Sequence, residues 1–305
     1  MRLLFIGTPA CSAVMLERLV SEGLDVVAAV TRPARPRGRG LHAHPSPVAE
    51  TAGKLGVPVH TPARLTFHAF GEVIRARTPD LALIFAFGEI LSEDVVAAMP
   101  ILNVHLSLLP RWRGPAPVVH TILAGDAVTG VTLQRVVYEV DAGDVLAQRE
   151  HVLSGRETAG ELERTLTGLG AELVVEVLRE HRFAARPQTG EVTTAPKVRT
   201  RDARLDWNAS ADELDRRVRA FNPKPGAHTM LRLPDGRRTR MRILYCEPTD
   251  EDLEPGRLVP RGEEAIAGCG DGALKLLEIQ PAGKRVLSSA EFVHGYLRRE
   301  EARLE

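Results

Sequence analysis

Through about residue 180, short apolar runs alternate with amphipathic stretches. Arg2–Ile6, Asp25–Val30, Leu81–Ala86 and Ile101–His105 are apolar and bounded by turn residues, the pattern of buried strands. Between them, Cys11–Glu22, Ser46–Leu55 and Phe67–Arg77 carry the spacing of helices. Strands alternating with helices predict a parallel, doubly wound α/β sheet. Gly130–Tyr138 and Asp144–Leu153 flank a turn at Asp141 and predict an antiparallel hairpin at the sheet edge. Thr158–Glu180 places leucines and valines at helical spacing with Glu and Arg opposite, which predicts a long helix.

From Phe183 to Asp206 the pattern breaks into Arg, Pro, Thr and Gly, the composition of an extended linker. Ser210–Ala220 then reads as a Ser-capped helix. Short strands follow, with turn signals at Pro234-Asp235-Gly236 and Gly270-Asp271-Gly272, and predict a small β-barrel. The expected organisation is a catalytic domain over residues 1–183, a linker over 184–206 and a barrel domain over 207–305.

Chemistry concentrates between Asn103 and Asp141. Alternate residues on a strand share a face, so Asn103 and His105 project together at the end of the fourth strand. The run from Pro110 to Pro117 forbids regular structure and predicts a loop-lined cleft. Asp141, in a Gly-containing turn, is placed to return to the imidazole. In an open α/β sheet ligands sit beyond the carboxyl ends of strands, so the Gly7-Thr8-Pro9 turn, the Phe87-Gly88 turn and His105 line one crevice. An amide, an imidazole and a carboxylate are the groups needed to move an acyl unit onto an amine. Asn103 and His105 are candidate donors to the developing oxyanion, typically the largest single catalytic term. Asp141 orients the ring or helps take the proton from nitrogen. An α-amino group needs little activation, since its unperturbed pKa is about 7.7–8.0.

Plainer readings weigh against parts of this. A strand-end His is commonly a structural hydrogen-bonder; Asn103, the SLLP turn and the Asp-x-Gly turn tip the balance here. These residues lack companion His or Cys at ligand spacing, so no metal is expected. Ser107 sits in no nucleophile elbow and more simply holds its loop. The absence of G-x-G-x-x-G after the first strand speaks against a dinucleotide role.

At 305 residues, 44% hydrophobic and 26% charged, the chain has the size for two domains and an ordinary globular composition. No apolar run reaches the ~18 residues of a membrane span. The N-terminal apolar run is cut short by Gly7, Thr8 and Pro9, which favours a buried first strand over a signal segment. Cys11, Cys246 and Cys269 lack metal or redox spacing and predict free thiols in a reducing cytoplasm. Formal net charge is zero, which argues against indiscriminate nucleic-acid binding but leaves room for local basic surfaces. Arg32–Gly40 carries Arg32, Arg35, Arg37 and Arg39 among Pro and Gly. It is expected to form neither helix nor strand, only a cationic finger suited to phosphate and base edges. The barrel region adds Arg232, Arg237, Arg238, Arg240 and Arg242, with Lys224 in the preceding turn.

The motif NVHLSLLPRWRGPAP followed by DAGDVLAQ resembles the signature of formyltransferases that use 10-formyltetrahydrofolate. RLLFIGTPA, RPRGRG (35–40), HPSPV (44–48), FAFGEIL (85–91) and RAFNPKPGA (219–227) fit the same family in order, over essentially the whole chain. Within it the chain is most similar to the members that formylate methionyl initiator tRNA. The resemblance implies a Rossmann-like domain followed by an OB-like barrel, and a monomer in the cytoplasm with no membrane association. It implies catalytic roles for Asn103, His105 and Asp141. Folate contacts are implied at Phe85, Phe87, Gly88, Ile90, Leu91, Ser107, Leu108, Leu109, Pro110 and Val140. Contacts to tRNA are implied at Arg35, Arg37, Arg39, Lys224, Arg237 and Arg238. Leu106, Glu139-Val140 and Leu41-His42 depart from the commonest family pattern, the last pair standing where lysines often follow. The alternative within the family is transfer to a nucleotide-linked amino sugar; outside it, a non-catalytic tRNA-binding module.

Overall fold

A computed structural model describes residues 1–37, 42–298 and 300–305. The chain divides into two compact units. The first comprises Met1–Pro117, Val128–Val152 and Glu163–Pro196; the second comprises Val118–Ala127, Leu153–Leu162 and Lys197–Glu305.

In the first part of the chain the elements are β1 (Arg2–Gly7), α1 (Ala10–Ser21), β2 (Asp25–Val30), β3 (Arg35–Arg37), β4 (His42–His44) and α2 (Pro47–Lys54). There follow β5 (Val59–His60), α3 (Phe67–Arg77), β6 (Leu81–Phe85), α4 (Glu93–Ala97), β7 (Ile101–His105) and α5 (Pro117–Ala124). The hairpin β8 (Val128–Arg135) and β9 (Val145–Val152) precedes the long α6 (Ala159–Arg179). The main sheet runs β5-β2-β1-β6-β7-β8-β9, parallel as far as β7 and antiparallel from there to the edge.

Near-continuous apolar strands suit a sheet covered on both faces. Leu4, Ile6, Ala28, Val30, Ala82 and Ile101 pack with Phe70, Val73 and Val95 from the helices. The helix starts follow the side chains that can cap them. Ser46 Oγ accepts from the Ala49 amide at 3.0 Å and Thr66 Oγ1 from the Ala69 amide at 3.3 Å. At the head of α6, Thr158 and Glu161 satisfy each other's backbone amides reciprocally.

One expectation fails. Arg35–Arg37 is a strand, paired antiparallel with His42–His44 in a two-stranded ribbon. Both strands of such a ribbon are edges, where Pro36 needs no ladder partner for its missing N–H. Arg39, with the rest of residues 38–41, lies outside the described residues.

In the second unit, α7 (Ala211–Ala220) begins at Ser210, whose Oγ accepts from the Glu213 amide at 3.2 Å. Strands β10 (His228–Arg232), β11 (Arg238–Thr249), β12 (Arg257–Arg261), β13 (Glu264–Gly268) and β14 (Ala273–Pro281) follow. The short β15 (Leu287–Ser288), α8 (Ser289–Phe292) and β16 (Ala302–Leu304) complete the chain. The order β11-β10-β16-β12-β13-β14 closes because β11 also pairs with β14, giving an antiparallel OB-like barrel without open edges along those strands. Leu231, Met241, Ile243, Leu258, Leu274, Leu276 and Phe292 fill it.

Candidate active site

Strand β7 delivers Asn103 and His105 at its carboxyl end. It pairs in register with β8, so that Asn103 stands opposite Gln134 and His105 opposite Thr132. The β8–β9 hairpin returns the chain to the same edge and carries Asp141 in its loop. Asp141 has φ +54°, a left-handed conformation uncommon outside Gly. Two residues on, Gly143 lets the loop close: a Cβ there would lie 1.8 Å from the Arg135 carbonyl oxygen.

The three side chains meet. Asp141 Oδ1 lies 3.5 Å from His105 Nδ1 and 3.4 Å from Asn103 Nδ2. The carboxylate is further fixed by Gln134 Nε2, which donates to Oδ1 at 3.0 Å, and by the Gly114 amide, which donates to Oδ2 at 2.9 Å. His105 is buried, and its Nε2 lies 2.8 Å from the Trp112 carbonyl oxygen. A carbonyl can only accept, so Nε2 carries a proton and Nδ1 is the ring atom turned to Asp141. Among the described residues the Asn103 amide meets only Asp141, at long range, which leaves its donors to serve a reacting group.

An open cleft of about 140 Å³ adjoins this cluster. Its lining includes Asn103, Gln134, Asp141 and Gly143 beside Ile84, Ile90, Leu91, Val136, Tyr138 and Val140. An apolar wall with a few convergent polar groups is the usual make-up of a small-molecule site.

Of the expected folate contacts, Ile90, Leu91 and Val140 line this cleft. Ile90 and Val140 are exposed there, whereas Leu91 is largely buried. The side chains of Phe85 and Phe87 are buried in the first unit, and their carbonyls accept from Ser12 Oγ and Thr8 Oγ1. Gly88, whose carbonyl accepts from Arg32, is not in the lining. Ser107, Leu108, Leu109 and Pro110 form a turn outside the lining. Ser107 Oγ donates to the Arg111 carbonyl at 2.6 Å, and Thr132 Oγ1 ties Ser107 O and the Leu109 amide.

The expected tRNA contacts divide between the two units. Arg35 is exposed on the β3–β4 ribbon, and Arg37 ends β3. On the barrel, Lys224 is exposed, Arg237 pairs with Asp235 at 2.6 Å and Arg238 with Glu305 at 3.0 Å. Along β11 the residues Arg238, Arg240 and Arg242 share the outer face while Met241 and Ile243 turn inward.

Gln134, Trp112 and Gly114 belong to the site and were not singled out from the sequence. Gln134 had a signal, being a polar residue in the same alternation phase as Gly130 and Thr132, opposite to that of Val131 and Leu133. Trp112 and Gly114 act through backbone atoms, which side-chain patterning does not report.

Comparison with known proteins bears on what this arrangement does. The methionyl-tRNA formyltransferase of Methylococcus capsulatus is 42% identical over 306 residues, 97% of each chain. That of Corynebacterium efficiens is 39% identical over 318 residues, covering both chains fully. The same fold occurs in HypX of Aquifex aeolicus in complex with tetrahydrofolic acid, with a TM-score of 0.65 and 23% identity. The match there covers 98% of this chain but only 48% of HypX. An N-formyltransferase from Helicobacter canadensis, in complex with folinic acid and dTDP-3-aminofucose, superposes with a TM-score of 0.65 at 15% identity, over 92% of this chain and 98% of its own. The family model for formyl transferase matches residues 1–178, which contain the whole Asn103–His105–Asp141 cluster, and the model for the formyl transferase C-terminal domain matches residues 197–297, which contain most of the barrel. The chain belongs to the formyl transferase family.

Proposed function

We propose that the protein transfers the formyl group of 10-formyltetrahydrofolate to the α-amino group of methionyl initiator tRNA in the cytoplasm. The observation that carries this reading is the meeting of Asn103, His105 and Asp141 within 3.5 Å at the edge of an open cleft. The full-length likeness to methionyl-tRNA formyltransferases supports the choice of acceptor.

The cleft's apolar wall at Ile90, Leu91 and Val140 suits the flat ring system of the formyl donor. As the amine attacks, the carbonyl oxygen gains negative charge and the nitrogen positive charge. Asn103 Nδ2 donates to that oxygen; one such donor is typically worth about 10²–10³ in rate. His105, held by Trp112 O at Nε2, presents Nδ1 on the same side. Asp141, fixed by Gln134 and Gly114, stabilises positive charge on the amine or ring and takes the departing proton directly or through water. Collapse of the tetrahedral adduct then breaks the bond from the formyl carbon to N10, and the folate leaves as tetrahydrofolate with a proton on N10. No protein nucleophile is needed, because about half or more of the α-amino group is already neutral near pH 8. Arg35 and Arg37 on the ribbon, Arg39 in the sequence that follows, and Lys224, Arg237 and Arg238 in the second unit, supply positive charge for the tRNA backbone.

Labelled formyl-tetrahydrofolate tests this reading when offered with methionyl initiator tRNA, a sugar-nucleotide amine, or water alone. Label is expected on the aminoacyl-tRNA. Label found only on the sugar, or released only as formate, contradicts it.

A further inference from the structure

After α6 the chain runs extended, and residues 186–195 lie along the loops that hold the candidate catalytic groups. Arg186 pairs its backbone with Val145, at the foot of the Asp141 loop, through bonds of 2.8 and 2.9 Å. Thr193 is fastened to the other loop. Its carbonyl accepts from the Arg113 amide at 2.9 Å, and its Oγ1 accepts from the Trp112 amide at 2.8 Å. The Ala195 amide donates to Arg113 O at 2.7 Å. The strap fits so closely that Gly114, at φ +120°, has no room for a Cβ, which would meet Ala195 O at 2.7 Å.

One side chain of this strap ties both loops together. Gln188 Nε2 donates to the carbonyls of Asp141 at 2.8 Å and Gly143 at 2.9 Å. Gln188 Oε1 accepts from Arg113 Nη2 at 2.9 Å and Nε at 3.1 Å. The remaining guanidinium nitrogen of Arg113 reaches Glu139 Oε1 at 3.2 Å, on the Asp141 loop itself. A half-buried carboxamide thus has its donor end on one loop and its acceptor end on the other.

Both loops carry a strained residue that aims a group at His105. Asp141 has φ +54° and presents its carboxylate to Nδ1; Trp112 has φ +66° and presents its carbonyl to Nε2. Left-handed backbone at non-Gly residues is costly and persists only where the surroundings hold it. Gln188 bonds the backbone of the first and the neighbour of the second.

From these contacts we infer that Gln188 is a positioning residue for formyl transfer: it locks the Asp141 loop against the Trp112–Arg113 loop and so fixes the partners on either side of His105. The inference rests on the function proposed above. Gln188 need touch neither donor nor acceptor, so its removal acts on kcat through geometry rather than on substrate binding.

Two variants separate this role from simple stabilisation. Gln188→Ala removes both ends of the clamp. Gln188→Glu keeps the shape and the acceptor for Arg113 but turns a second oxygen toward the Asp141 and Gly143 carbonyls. Both are expected to lower kcat by about tenfold to 10²-fold, the penalty of a misplaced catalytic group. KM for methionyl-tRNA should stay within about twofold, and amide hydrogen exchange should rise across residues 139–143 but not in the barrel strands. Wild-type kcat in Gln188→Glu overturns the inference, as does a loss of activity that follows the loss of folded protein by circular dichroism in both variants. Should the wild type transfer no formyl group to methionyl-tRNA, the proposed function fails. The exchange measurement then still decides the clamp: unchanged exchange at 139–143 in Gln188→Ala refutes it.

Discussion

Around Asn103 the first unit buries an imidazole, two hydroxyls and an amide, at His105, Ser107, Thr132 and Gln134, and hydrogen-bonds each of them. The barrel is built the other way. Its centre is aliphatic and aromatic; one of its few buried polar side chains, Thr229, accepts from Trp207 Nε1 at 3.0 Å and donates to Glu305 O at 2.9 Å. Its charges stand outside in ion pairs such as Arg257–Glu301, Arg303–Glu254 and Arg285–Glu291. The contrast separates two uses of polarity. Buried in a network, a polar group sets the direction of its neighbours and is costly to strip of partners; exposed in an ion pair, it contributes little to stability and remains available to a charged ligand.

Perturbing each unit in turn sharpens that contrast. In the barrel, Leu276→Ala empties a fully buried position and is expected to cost about 2–5 kcal/mol, read from the denaturation midpoint of the barrel signal. In the first unit, Thr132→Val keeps the shape of a fully buried side chain. It removes bonds to Ser107 O at 2.7 Å, from the Leu109 amide at 3.1 Å and from Gln148 Nε2 at 3.0 Å. A loss of about 1–3 kcal/mol is expected, accompanied by slower transfer because the turn after His105 loosens. An equal change in Leu276→Ala and Thr132→Val transfer rates at matched stability would erase the distinction.

Surface changes should behave differently. Arg238→Gln breaks the exposed pair with Glu305 and should shift stability by less than about 1 kcal/mol. The slope of log affinity for tRNA against log salt should fall by about one if this residue contacts phosphate as proposed. The smallest effect is expected at Glu291, which the Arg285 guanidinium and the Ser288 amide hold down to a pKa of about 2. A carboxylate whose pKa is lower folded than unfolded stabilises the protein above the unfolded value, about 4.3, and loses that contribution as pH falls toward the folded one. The stability gap between wild type and Glu291→Gln should therefore narrow between pH 5 and pH 2 in acid titrations followed by circular dichroism. A gap that widens on acidification would reverse the sign.

The same contrast explains what could be read without coordinates. Apolar runs bounded by turns predict β1, β2, β6 and β7 to within a residue or so, because burial on both faces writes itself into consecutive side chains. Asn103 and His105 are legible as polar interruptions two residues apart in one such run, and Asp141 as an acid in a glycine turn. The clamp at Gln188 is not legible. Its partners are carbonyls 47 and 45 residues away, and no periodicity encodes which backbone oxygen a side chain will find. The β3–β4 ribbon was hidden for the opposite reason: Pro and Gly suggest an irregular loop, yet a two-stranded ribbon asks little of its edges.

Formyl transfer at this site requires Asn103 and His105 to act on the migrating formyl group. Single-turnover transfer from labelled formyl-tetrahydrofolate to saturating methionyl initiator tRNA, measured for Asn103→Ala and His105→Ala, addresses that directly. Rates about 10²–10³-fold below wild type are predicted, with tRNA affinity unchanged. Rates within about threefold of wild type in both variants would contradict the account.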